Sequence, residues 1–168
     1  MKTKLMIAIV AATFSVSANA IDVYFSPNGG AAAALIKEID AAMVDIHVMT
    51  YQMTNKGIAE ALLRAKQRGV ALSIIVDKSQ RKAGLEGAQY CCAADVASKT
   101  PVLLDAKHPI HHNKVVIIDH ATVVTGSFNF SNAADKANAE NMLVIRDVAL
   151  AGKYLDTWNI HAAHSEKY

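Results

Sequence analysis

The chain has 168 residues, 52% of them hydrophobic and 19% charged. That composition suits one domain with a real core and excludes a disordered, highly charged tail protein. Its 17 Lys and Arg against 15 Asp and Glu give a formal net charge of only +2, so any hold on a polyanion must come from local clustering.

Residues 1–20 read as a secretory signal peptide. Lys2 and Lys4 make a positive start, Leu5 to Phe14 is uncharged and largely apolar, and Ala18-Asn19-Ala20 is an A-x-A cleavage site. The apolar run is too short to span a bilayer. Cleavage after Ala20 is expected, leaving a single domain over residues 21–168 in the periplasm or outside the cell. Losing Lys2 and Lys4 brings the mature charge to 15 against 15.

Along the mature chain, Ile21 to Ser26 alternates as a strand, and Pro27-Asn28-Gly29-Gly30 punctuates it. Ala31 to Met43 reads as a helix with Leu35, Ile36 and Ile39 on one side. Val44 to Met53 reads as a strand with Asp45, His47 and Met49 on one face. Thr54 or Asn55 caps a helix from about Lys56 to Arg68, stopped at Gly69. Val70 to Val76 is a β-rich run. This β-α-β-α-β order predicts an α/β sandwich with a mixed, mostly parallel central sheet flanked by helices.

Lys78 to Gln89 is polar and reads as a loop, Tyr90 to Ser98 as a short helix, and Pro101 to Leu104 as a strand. The only cysteines, Cys91 and Cys92, are adjacent. Their Cα atoms would sit about 3.8 Å apart, short of the ~4.4–6.8 Å usual for a disulfide, so two buried thiols are expected. Asn113 to Ile118 and Thr122 to Phe128 form a hairpin around Asp119, His120 and Ala121. A short helix at Ser131 to Ala137, a strand at Met142 to Arg146 and a helix from Val148 to about His161 close the chain. Trp158 lies on the core side of that last helix.

The hairpin carries the chemistry. Residues two apart on a strand share a face, so His112 and Lys114 point together, as do Ser127 and Asn129 on the partner strand. An imidazole, an ammonium, a hydroxyl and an amide can then converge. A phosphodiester repels nucleophiles with its own negative charge. A cation and neutral donors such as Lys114, Ser127 and Asn129 can bind its non-bridging oxygens and offset that charge, while neutral imidazole attacks phosphorus. Glu140, just before the next strand, could accept a hydrogen bond from the other nitrogen of His112 and fix its tautomer. Asp119 belongs to the same set. Seven residues beyond His112 it falls in the turn or on the other side, so its part is structural: capping the turn or pairing with a cation.

His112, Lys114, Asp119, Gly126, Ser127 and Asn129 fit the pattern H-x-K-x4-D-x6-G-S-x-N, which arises by chance in a chain of this length on the order of once in a million. On that pattern the chain resembles the phospholipase D superfamily. Met49 to Thr54, the helix after it and Gly69 to Asp77 resemble the corresponding strand, helix and strand of the family's small bacterial endonucleases. The segment Gly84 to Thr100 carries the least resemblance.

The resemblance implies a covalent phosphohistidine on His112, with no metal and no cofactor. It assigns Lys114 and Asn129 to the phosphate oxygens, Ser127 to a further hydrogen bond, and Glu140 to orienting His112. The family's site uses two such motifs and this chain carries one, which implies a homodimer. The substrate implied is DNA or RNA, without stable membrane association. Two alternatives stay open: a phospholipase D-type hydrolase acting on phospholipid headgroups, and a dimer that binds phosphodiesters without cutting them.

Simpler readings hold elsewhere. His47 is expected to be a satisfied core or edge histidine, and His161 and His164 to be solvated in the tail. His108, His111 and His112 raise a metal site, but no further ligand falls at convincing spacing, so no metal is assigned. Lys78, Arg81 and Lys82 make a small basic cluster, expected to be wet surface.

Overall fold

The computed structural model describes residues 20–82, 100 and 102–168. The proposed leader up to Asn19, the segment around Cys91 and Cys92 and the helix expected at Tyr90 to Ser98 lie outside the described residues.

Among the described residues, eight strands form one sheet: β1 (Ala20–Ser26), β2 (Asp45–Thr50), β3 (Ala71–Asp77), β4 (Val102–Asp105), β5 (Lys114–Ile118), β6 (Thr122–Gly126), β7 (Glu140–Arg146) and β8 (Glu166–Lys167). Their order is β1-β7-β6-β5-β2-β3-β4-β8. The helices are α1 (Ala31–Ala41), α2 (Lys56–Gln67), α3 (Ser79–Lys82), α4 (Asn132–Lys136) and α5 (Val148–His164).

The α/β class and the mixed sheet are as expected; the mostly parallel character is not. Only β2 with β3 and β3 with β4 run parallel; the other five pairings are antiparallel. The reason is that β1 does not join β2. It crosses to the far edge and pairs with β7 in register, Ile21 opposite Ile145 and Ser26 opposite Glu140, so the parallel rule for β-α-β units governs only β2, β3 and β4. The short β8 was not expected, and Ser79–Lys82 is a helical turn where a loop was expected.

Alternation along the strands builds two cores. Ile46, Val48, Ile74, Val76, Val116, Val124 and Val144 pack beneath α1, α2 and α4. Met49, Ile75, Val115, Ile117 and Val123 pack beneath α5 with Ala151 and Trp158. Each fully buried aliphatic contributes about 1.5–3 kcal/mol relative to exposure. Trp158 is core as expected, and its Nε1 donates to the carbonyl of Val48 at 3.2 Å. Asn55 caps α2, its side chain accepting from Ile58 N, and Gly69 follows α2 with φ 95°, a left-handed stop that suits glycine. Among the described residues, no helix is long and apolar enough to cross a membrane.

Candidate active site

Pairing of β2 with β5 sets Thr50 opposite Lys114. One residue further, the amide of Tyr51 donates to the carbonyl of Asn113 at 2.9 Å. The register therefore delivers Tyr51 beside the segment that carries His112 into β5. The Tyr51 and His112 ring centroids lie 4.9 Å apart, and Lys114 Nζ lies 5.5 Å from the Tyr51 centroid. Lys114 Nζ also donates to the main-chain carbonyl of His112 at 2.9 Å. His112 and Lys114 do converge, although His112 precedes the strand. His112 is exposed and Lys114 is buried. Burial pushes the Lys114 pKa down, partly opposed by the negative charge of Glu140.

Glu140 opens β7. Its carboxylate accepts from Ser127 Oγ at 2.6 Å and from Asn138 Nδ2 at 3.2 Å. Ser127 Oγ in turn accepts from Asn141 N at 3.1 Å. The hydrogen bond expected from His112 to Glu140 is not among these: within one chain Glu140 is held by Ser127 and Asn138, and it acts on Lys114 through its charge. Ser127 and Asn129 lie beyond β6 rather than on it, because the amides of both Ser127 and Phe128 turn onto the carbonyl of Asn141, at 3.1 and 3.2 Å. Asn129 Oδ1 is buried without a hydrogen-bond partner. The backbone carbonyl of Asn129 accepts from Ser131 N at 2.7 Å.

Gly126 has a physical reason to be glycine. A Cβ there would stand 2.3 Å from the carbonyl oxygen of Asn141. The close approach of β7 that brings Glu140 to Ser127 requires a residue without a side chain.

Asp119 is not brought to this cluster. It sits in the turn at the other end of β5, roughly 16 Å from Lys114 at the usual strand rise. Its carboxylate accepts from the amides of Met43, Val44 and Asp45 at 2.7–3.2 Å. Within one chain the geometry gives Asp119 a turn-holding part and does not bring it to His112 and Lys114. Tyr51 is the site residue that sequence reasoning missed. Its signal was the β2 run continuing toward the segment opposite His112.

The remaining histidines divide. His47 packs on Trp158 with ring centroids 4.7 Å apart, and burial pushes its pKa down; it is half-buried, but its Nδ1 has no hydrogen-bond partner, so it is not the satisfied histidine expected. His161 and His164 are not solvated: their side chains are 15% and 17% exposed, and both reach the fully buried Asp105. Lys78 Nζ donates to the carbonyl of His108 at 2.8 Å. No side chain is described for Arg81 or Lys82.

Residues 35–159 match the family model described as cardiolipin synthase, PLD-like domain. A protein named phospholipase D from Rickettsia bellii is 39% identical over 142 residues, which cover 84% of this chain and 69% of that relative. The crystal structure of a phospholipase D family member, Nuc from Salmonella typhimurium, superposes with a TM-score of 0.82 at 35% identity, covering 90% of this chain and 99% of that one. NucT from Helicobacter pylori shares the fold, with a TM-score of 0.79 at 23% identity over 90% of this chain and all of that one.

Proposed function

The chain belongs to the phospholipase D superfamily, and from that premise we propose that it is an exported endonuclease that cuts nucleic-acid phosphodiesters through a covalent intermediate on His112. The observation that carries the reading is the meeting of an exposed imidazole and a buried ammonium at one aromatic ring, with Lys114 tied to the His112 carbonyl.

The geometry supports the following sequence. Lys114 exchanges the neutral carbonyl of His112 for a non-bridging phosphate oxygen, and Asn129 offers an amide to the same group. Neutral His112 attacks phosphorus and forms a P–N bond as the P–O bond to the leaving group breaks. The leaving oxygen takes a proton from the His112 of a second copy. Water then attacks phosphorus and breaks the P–N bond, and the second His112, now neutral, takes up the proton that water releases. A homodimer supplies both imidazoles, so activity per chain should fall on dilution through the dimer range.

The nucleic-acid substrate rests on the segments that resemble the family's small bacterial endonucleases. These segments are β2 with Tyr51, α2 and β3, and Tyr51 flanks the nucleophile. A phospholipid headgroup is the second reading, favoured by the Rickettsia relatives named phospholipase D. Plasmid DNA and phosphatidyl vesicles, offered side by side with chelator present, separate the two. The expected result is DNA cleavage by the wild type, none by His112→Ala, and radiolabelled phosphate trapped on His112. Cleavage retained by His112→Ala would overturn the mechanism, and vesicle turnover without DNA turnover would overturn the substrate. Export predicts that protein recovered from the periplasm begins at Ile21.

A further inference from the structure

We propose that Asp105, His108, His161 and His164 form a zinc site that pins the end of α5 to the loop carrying His112. The four residues converge from three parts of the chain: Asp105 ends β4, His108 lies in the loop after it, and His161 and His164 lie one turn apart at the end of α5. One donor atom from each lies within 4.8 Å of every other.

The cluster is crowded in a way that hydrogen bonding alone does not satisfy. Asp105 Oδ2 has the Nδ1 atoms of His108, His111 and His161 each at 2.9 Å, three ring nitrogens on an oxygen with two lone pairs. Asp105 Oδ1 lies 3.3 Å from His164 Nε2, and that nitrogen is buried without a hydrogen bond. The rings of His108, His161 and His164 are 5.0–5.4 Å apart, and imidazole nitrogens gathered this closely are the donors that a divalent cation takes several at once.

The donor set suits zinc. Three imidazole nitrogens and one carboxylate oxygen make a closed four-ligand site of the structural kind. At bond lengths of about 2.0–2.2 Å, tetrahedral donors sit roughly 3.3 Å apart. Asp105 Oδ2 lies 2.9 Å from His108 and His161 Nδ1, and Oδ1 lies 3.3 Å from His164 Nε2, so side-chain rotation brings all four donors onto one ion. His111 braces the site from behind. Its side chain is fully buried, and its amide donates to Asp77 Oδ2 at 2.7 Å. The bond to Asp77 holds His111, and with it the backbone leading to His112, with or without a metal. None of the four ligands takes part in the phosphodiester chemistry.

The test uses full-length protein stripped of metal, with Cys91→Ser and Cys92→Ser to remove thiol ligands. It is titrated with Zn2+ by calorimetry and with Co2+ by visible absorption. One equivalent per chain is expected, with a rise in the thermal midpoint and a tetrahedral cobalt spectrum. His161→Gln with His164→Gln should weaken binding at least about tenfold, whereas His120→Gln, in the separate Asp45, His47 and His120 group, should leave it unchanged. His108→Gln, on a half-exposed loop residue, serves if the double variant does not fold. No stoichiometric binding by the parent protein, or binding unaltered in both variants, would overturn the proposal. Turnover measured below the melting point of the metal-free protein should be unchanged within about twofold, which keeps this result separate from the fate of the nuclease reading.

Discussion

Lys114 Nζ donates a 2.9 Å hydrogen bond to the main-chain carbonyl of His112, which ties the ammonium through the backbone to the residue proposed as nucleophile. A carbonyl is a weak partner for a buried ammonium, and burial accordingly lowers the Lys114 pKa. A phosphate oxygen is a stronger partner, so binding one would offset the cost of burying this charge.

Lys114→Met should therefore separate stability from activity. Turnover falls by about 10²–10³, while stability at pH 7 rises by about 1 kcal/mol as a buried charge is replaced by an apolar chain of similar length. The sign with pH follows from linkage. A lysine whose folded pKa lies below its unfolded value costs stability at low pH, and that cost is relieved as pH rises through the folded pKa. The gap in melting temperature between variant and wild type should narrow toward alkaline pH. A variant less stable than wild type at pH 7 would show that the ammonium is already well satisfied.

Asp119 gives the opposite pattern. Its carboxylate gathers three successive amides at the start of β2, and its own amide donates to Asp45 O at 3.0 Å. Asp119→Ala leaves those amides without the acceptor and should cost about 2–3 kcal/mol in urea denaturation, with turnover of the folded fraction within about twofold of wild type. A large loss of turnover at unchanged stability would return Asp119 to the catalytic groups.

Gly126→Ala tests the strand contact that seats Glu140. The added Cβ would meet the Asn141 carbonyl at 2.3 Å, so the backbone must move. The expected cost is roughly 1–3 kcal/mol, and turnover should fall with it because the Ser127 to Glu140 hydrogen bond opens. Unchanged stability together with full activity would mean that β7 can shift away freely.

These contrasts show where sequence reasoning worked and where it stopped. The hairpin, α1, α2, α4, α5 and the buried strands were legible because alternation and helical spacing report burial directly. His112 and Lys114 were legible because two-residue spacing is a local property. The parallel character of the sheet was not: the pairing of Ile21 with Ile145 joins residues far apart in sequence, and no local pattern encodes it. The same holds for Asp105 and His161, 56 positions apart and 2.9 Å in space. His161 and His164 read as a wet tail because the sequence does not show that the last turn of α5 lands on the end of β4. Glu140 was expected to bond His112, but its hydrogen-bond partners within the chain are Ser127 and Asn138, which the turn after β6 decides.

Glu140 yields the most discriminating pH experiment. Its negative charge raises the Lys114 pKa against the lowering effect of burial. Glu140→Gln keeps the size of the side chain and an acceptor for Ser127 Oγ but removes that charge, so the Lys114 pKa should fall further. If activity requires the ammonium, the alkaline limb of kcat/KM moves to lower pH in Glu140→Gln. Placing Lys114→Arg in the same background should abolish that limb, because guanidinium stays charged throughout. Profiles of wild type, the single variant and the double variant, measured on one substrate at constant ionic strength, check this. An alkaline limb that stays in place in Glu140→Gln would mean that Lys114 does not set it, and that Glu140 serves only to hold Ser127 and Asn138.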